Sequence, residues 1–179
     1  MGYEFYSKLI RQAVDEETGR EAMPLIDTAV DAPGDAYVPK GFVNAELQRM
    51  AMYKRIAEIE DEPMFEDMYD EFTDRYGDLP ESVERLMRLS LIKHLAARAG
   101  FLSVTVKPGK TTLKYDRSAR PDGGKLLMAL SGEQGARLLA GDPAAVEITV
   151  KGRSADDFVK KLPQFLSILA DCNRLDERV

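Results

Sequence analysis

Hydrophobic positions recur at helical spacing through the first half of the chain and then switch to alternation. Residues 3–16 place Tyr6, Leu9, Ile10 and Ala13 on one face, and Gly19 follows as a stop, which predicts a short N-terminal helix. Residues 25–30 suit a short strand. Residues 31–41 hold two Pro, two Gly and two Asp and read as a loop. Asn44 is the predicted N-cap of a helix running to Glu60, with Leu47, Met50, Ile56, Ala57 and Ile59 inward. After a break at Glu62-Pro63, residues 64–76 carry Phe65, Met68, Tyr69, Phe72 and Tyr76 as one apolar stripe. Gly77 is placed to end that helix in the left-handed conformation, and Pro80 suits the first turn of the next. That next helix, 80–99, is apolar around most of its axis in its second half and is predicted to be central and buried.

Beyond Gly100 the period becomes two. Residues 101–106 and 111–115 read as strands joined by a hairpin at Pro108-Gly109, with a third strand at 125–130. A short helix at 133–140, a strand at 146–150 and a closing helix at 155–172 complete the order, with Pro163 predicting a kink or a split. Helices first, then strands mixed with helices and no repeated strand–helix–strand unit, predict an α+β fold: a helical N-terminal half, a small mostly antiparallel sheet and a closing C-terminal helix. Residues 1–20 read as an arm from a preceding region and 21–179 as one domain.

Composition narrows the function more than the fold. With 44% hydrophobic and 31% charged residues, the sequence is that of a globular protein. Its apolar runs are too short to span a bilayer, and residues 1–5 do not open a signal peptide, so the cytoplasm is the expected compartment. The single cysteine, Cys172, excludes an internal disulfide and reads as a core residue. The net charge of −6 disfavours nonspecific nucleic-acid binding. That average hides a division. Residues 58–84 contain twelve acidic side chains and one basic one, Arg75, whereas 85–125 contain ten Lys or Arg against Asp116 and Asp122. The two halves can pair with each other or be solvated, or the acidic one can face a basic partner.

No constellation points to catalysis. Residues 107–111 resemble the end of a phosphate-binding loop, but the required glycine five positions before Gly109 is Val104, and a strand rather than a helix follows. His94 is the only histidine and lies on a mostly apolar helix, so it reads as packed rather than catalytic. Glu66/Asp70, Asp67/Glu71 and Asp70/Asp74 are i,i+4 carboxylate pairs that could hold a hard cation, with a solvated acidic face as the competing reading. Each like-charge pair costs an isolated helix roughly 0.2–0.5 kcal/mol, which the apolar stripe or a basic partner can offset. Glu71, Asp74 and Arg75 fall on one flank of the 64–76 helix and form a patch of mixed sign, suited to a protein partner; they are the candidate contact residues, with plain solvation as the alternative.

Four segments, in order, resemble the C-terminal domain family of bacterial transcription-repair coupling factors. Gly2-Tyr3-Glu4-Phe5-Tyr6-Ser7-Lys8-Leu9-Ile10 is similar to the helix after the motor lobes. Asp35-Ala36-Tyr37-Val38-Pro39 resembles the D-A-Y-I-P opening of the C-terminal domain. Gln48-Arg49 through Tyr53-Lys54-Arg55-Ile56 resembles its Q-R-x-x-x-Y-K-R helix. Asp74-Arg75-Tyr76-Gly77-Asp78-Leu79-Pro80 resembles its D-R-[FY]-G-x-L-P run. The matches cover about residues 2–100, and the stretch 116–124 looks like an insertion. The resemblance implies a parent that is a DNA translocase, using ATP and Mg²⁺ in its motor, which removes stalled RNA polymerase and recruits UvrA for excision repair. The motor motifs are absent from this sequence. It therefore resembles the C-terminal domain alone, a non-catalytic, cofactor-free module. In the family that module docks within the parent on an N-terminal UvrA-like module and masks UvrA binding; no direct nucleic-acid or membrane partner is expected of this chain. The rival reading is an accessory nucleic-acid-binding domain using the basic 85–125 stretch, although Phe101 and Tyr115 are its only aromatic residues.

Overall fold

The computed structural model describes residues 26–173. The predicted helix at 3–16, its Gly19 stop, the 1–20 arm and the first of the four family-like segments lie outside them. The described chain divides into two compact units, one of residues 34–91 and the other of 26–33 with 92–173.

The first unit is helical. Helix α1 (Glu46–Ala57) starts later than predicted: its N-cap is Ala45, with no side-chain cap, and not Asn44. The predicted inward face holds at Ile56 and Ile59 but not in the first turns of the helix. Met52, Tyr53, Ile56 and Ile59 are buried, whereas Leu47 is 85% exposed and Met50 is exposed as well. Helix α2 (Glu62–Tyr76) begins where the Asp61 carboxylate accepts the Met64 N–H at 2.9 Å, with Pro63 in the first turn, where a missing N–H removes nothing. Of its predicted stripe, Phe65, Met68 and Phe72 are buried, and Tyr69 and Tyr76 are half-buried. Gly77 ends it with the positive φ expected of a glycine stop, 87°, but its ψ of −167° departs from the left-handed helical turn. Helix α3 (Glu81–Arg98) begins in this unit and runs into the second. Val83, Met87, Leu91, Ile92 and Ala96 on it have no exposed surface.

The second unit holds a five-stranded mixed sheet: β1 (Ala29–Asp31), β2 (Phe101–Lys107), β3 (Lys110–Tyr115), β4 (Ala136–Leu139) and β5 (Ala145–Thr149), in the order β1-β2-β3-β5-β4. Only β1–β2 is parallel. The β2–β3 turn falls on Pro108-Gly109, as the sequence predicts, with Lys107 opposite Lys110. An irregularity between Phe101 and Ser103 shifts the alternation, so Phe101 and Val104 both become buried. Phe101 stacks on Tyr115 with ring centroids 4.3 Å apart. The Thr28 hydroxyl donates to the Phe101 carbonyl at 2.7 Å, fixing the entry to β1.

Two elements differ from the sequence expectation. Residues 125–130 are not a strand but part of helix α4 (Gly123–Gly132), because the Asp122 carboxylate accepts the N–H groups of Gly124 and Lys125 at its start and Leu126 and Leu130, one turn apart, are buried. Residues 133–140 are not a helix: they contain edge strand β4, entered through Gly135 at φ 78°, whose carbonyl accepts the Thr149 N–H at 3.0 Å. Helix α5 (Ala155–Ala170) opens with a capping box between Ser154 and Asp157 and runs through Pro163 without splitting. The α+β class, with a mostly antiparallel sheet and a closing helix, is as the sequence predicts.

Candidate interaction face

The last two turns of α2 bring Glu71 and Arg75 together but not Asp74. Glu71 receives both prongs of the Arg55 guanidinium from α1: Arg55 Nη1 donates to Oε1 and Nη2 donates to Oε2, the latter at 2.8 Å. Arg75, one turn on, reaches the same Oε1 with a single contact at 3.4 Å. The Arg55 bonds hold the Glu71 carboxyl below its ordinary range, outweighing the opposing effect of desolvation. Asp74 is exposed and makes no ion pair among the described residues. The sequence reading places Glu71 free on the helix flank; the structure makes it a link between two helices.

Aromatic side chains floor the patch. The Arg55 guanidinium lies 5.6 Å from the Phe72 ring centre and that of Arg75 lies 5.7 Å from Tyr76. Tyr76 meets Phe72 edge-on at 6.3 Å and Phe42 at 5.9 Å. The α2 end is thus braced from α1 and from the loop before it. Arg55 is the functional candidate that sequence reasoning missed. Sixteen positions and a helix break separate it from Glu71, so no local spacing pairs them; the only signal is an arginine in one family-like segment and an acidic helix after it.

Toward the start of α2 the acidic face continues. Glu66, Asp67 and Asp70 are exposed. A shallow cleft of about 360 Å³ is lined by Phe65, Glu66, Tyr69, Asp70, Glu84 and Arg88. Arg88 sits 4.9 Å over Phe65 while pairing with Glu84 at 2.9 Å. Among the described residues no group of three or more His, Cys, Asp or Glu is placed to hold a metal ion.

Part of the basic stretch is committed at home, while Arg98, Lys107, Lys114, Arg120 and Lys125 are exposed. Arg85 is buried, Arg88 pairs with Glu84, Lys93 with Asp27, Lys110 with Glu147 and Arg117 with Asp142. Residues 107–111 form the β2–β3 hairpin and not a phosphate loop. Cys172 is buried, its thiol donates to the Ile168 carbonyl at 3.2 Å, and burial pushes its pKa up. His94 is partly buried on α3.

Two of the family-like segments touch directly: the Val38 N–H donates to the Tyr53 hydroxyl at 2.8 Å. From the second of these, Arg55 also reaches Glu71, three residues before the Asp74–Pro80 run. Residues 32–126 match the TRCF domain family. The transcription-repair-coupling factor of Bacillus subtilis (strain 168) is 28% identical over 180 residues, covering 97% of this chain and 15% of that protein. That of Myxococcus xanthus is 26% identical over 172 residues, covering 96% of this chain and 14% of its own length. That of Staphylococcus epidermidis (strain ATCC 12228 / FDA PCI 1200) is 34% identical over 102 residues, 56% of this chain and 9% of that protein. The chain therefore spans at most 15% of the length of these three relatives. In fold it is similar to a crystal structure of the C-terminal domain of a transcription-repair coupling factor, with TM-score 0.72, 20% identity and coverage of 84% of this chain and 96% of that one.

Proposed function

The chain belongs to the TRCF domain family, and from that premise we propose that it is a regulatory protein-interaction domain of a transcription-repair coupling factor. On this reading it docks, through the end of α2, on the N-terminal module of its parent that carries the UvrA-binding surface. Docking hides that surface until the parent engages a stalled polymerase. The domain itself performs no catalysis and needs no cofactor; ATP, Mg²⁺ and DNA belong to the motor of the parent, which works in the cytoplasm.

The observation that carries this reading is the braced, mixed-charge end of α2. Arg75 is 62% exposed and Asp74 is exposed beside it, on a helix end fixed by Arg55–Glu71 and by the Phe42–Tyr76–Phe72 cluster. A rigid patch with both signs selects a protein surface of the complementary pattern, because a like-charge juxtaposition repels and a nucleic acid offers only one sign. Masking then follows from linkage. A contact within one polypeptide competes with UvrA at high effective concentration. The rival nucleic-acid reading is weakened by the net charge of −6 and by the pairing of Arg88, Lys93, Lys110 and Arg117 within the chain.

Competition tests the proposal. The isolated N-terminal module of the parent is saturated with labelled UvrA, and the 179-residue chain is titrated in. UvrA is expected to be displaced as the chain binds. Binding of the chain without loss of UvrA would remove masking from the account, and no binding at all would remove docking.

A further inference from the structure

Glu71 lies between two arginines and cannot serve both equally. Its two oxygens are taken by the Arg55 fork, the two-point arrangement that guanidinium geometry favours. Arg75 is left with one shared oxygen at 3.4 Å, longer than a strong charge-assisted bond, and remains 62% exposed. Yet Glu71 and Arg75 sit at the i,i+4 spacing at which helical side chains pair readily. Were Arg55 absent, Arg75 would be the nearest cation for Glu71, and its charge would be spent inside the helix.

We propose that Arg55 is a positioning residue for the docking face: by holding Glu71 it leaves Arg75 only one long shared contact there, and so available to meet a carboxylate of the partner. The proposal rests on the docking reading above and sharpens it. Glu71 supports the face from behind, while Asp74 and Arg75 present it. The complementary partner surface carries an acidic side chain for Arg75 and a basic one for Asp74. Arg55 itself packs over Phe72, on the α1 side of the pair, and is less exposed than Arg75, at 40% against 62%.

A double-mutant cycle tests this with the intact chain and the isolated N-terminal module of the parent, by calorimetry, with a melting temperature for each variant. Arg55→Met keeps the packing on Phe72 and releases Glu71; docking is expected to weaken about three- to five-fold, the scale of one surface ion pair. Adding Glu71→Gln to Arg55→Met removes the released carboxylate and is expected to restore docking to near the wild-type level, although the helix link stays broken. A merely structural role for Arg55 would not be rescued by a second loss, nor would a direct contact of Arg55 with the partner. Unchanged docking in Arg55→Met, or no recovery in the double variant, would overturn the proposal. If Arg55→Met fails to fold, Arg55→Lys takes its place: it keeps the charge without the fork and should show a smaller loss, again relieved by Glu71→Gln. Arg75→Gln separates the two levels. If it leaves docking of the wild-type chain untouched, the docking face is wrong, and the role of Arg55 falls with it.

Discussion

The Tyr53 hydroxyl accepts the Val38 backbone N–H at 2.8 Å, in a site where both residues are about 4% exposed. This one bond ties the loop before α1 to the helix itself. Tyr53→Phe keeps the ring and its packing but leaves a buried N–H without its acceptor. Such an orphaned donor costs about 1–3 kcal/mol. Urea unfolding of the two proteins should therefore show a lower midpoint at unchanged slope.

Glu147 makes the stability of the sheet unit sensitive to acid. Its side chain is 4% exposed on β5, held by Lys110 from β3 and Arg137 from β4. Those bonds keep its carboxyl below the ordinary value of 4.5, against the effect of desolvation. A folded-state pKa below the unfolded one means that the contribution is fully present above the ordinary carboxylate range and is lost as pH falls through the folded value. Glu147→Gln should cost about 1–2 kcal/mol near neutral pH. That is the lower part of the range for bonds to charged groups, because Lys110 and Arg137 are half or more exposed to water. The gap from wild type should stay constant from about pH 7 to 5 and narrow as pH falls below the ordinary value. Denaturant titrations across that range check the sign.

Gly135 and Gly152 share a positive φ, 78° and 81°, but differ in their surroundings. A Cβ on Gly135 would lie 2.1 Å from the Thr149 carbonyl oxygen, whereas one on Gly152 meets nothing within 4 Å. Gly152→Ala should cost only the conformational penalty, about 1–2 kcal/mol. Gly135→Ala must also push β4 away from β5 and should cost about 3 kcal/mol or more. Similar melting temperatures for the two variants would show that the β4 edge gives way easily.

Much of the fold was legible because two signals agreed. The 64–76 stripe has both the helical period and a Pro start with a Gly stop, and α2 follows it closely. The 107–110 turn has alternation on both sides of Pro-Gly. Where one signal stood alone, the reading slipped. Lys125-Leu126-Leu127-Met128-Ala129-Leu130 is a short apolar run that suits a buried strand or a helix equally; Asp122 decides for helix by capping it, and two glycines at the helix start obscured that cue. Around α1, Asn44 suits the cap, but the chain turns one residue later, and Met52 and Tyr53 join Ile56 on the buried face in place of Leu47 and Met50. The candidate site was half legible. Helical spacing puts Glu71, Asp74 and Arg75 on one flank, yet it contains nothing about α1 packing alongside, so the Arg55 fork was invisible.

The net charge of −6 predicts weak contact with DNA, and an acidic face with no grouped ligands among the described residues predicts weak contact with metal. With Arg88, Lys93, Lys110 and Arg117 paired within the chain, a gel-shift titration with duplex DNA at physiological salt should show no micromolar complex. Millimolar Mg²⁺ should leave the melting temperature unchanged. Occupancy far above a dissociation constant would instead stabilise the chain by a few kcal/mol, seen as a rise of several degrees that Asp70→Ala abolishes.

Charge reversal separates the two carboxylates of the patch. Asp74 is exposed and makes no ion pair among the described residues, so Asp74→Lys should leave stability within about 0.5 kcal/mol of wild type. Glu71→Lys is different: it sets a third cation against Arg55 and Arg75, breaks the link from α1 to α2, and should lower the melting temperature measurably. Docking on the N-terminal module should respond to both, but for different reasons. Asp74→Lys acts at the contact itself, where truncating a charge that becomes desolvated on binding costs about 2–5 kcal/mol and a rim charge far less. Its effect should therefore appear without any change in melting temperature and should fade as salt screens the encounter. Glu71→Lys should lose stability through the broken link and docking through the added cation, which repels the basic partner group opposite Asp74. If Asp74→Lys binds as wild type does while Glu71→Lys fails in both assays, Asp74 lies outside the contact, and the face must centre on Arg75 and the exposed acids nearer the start of α2.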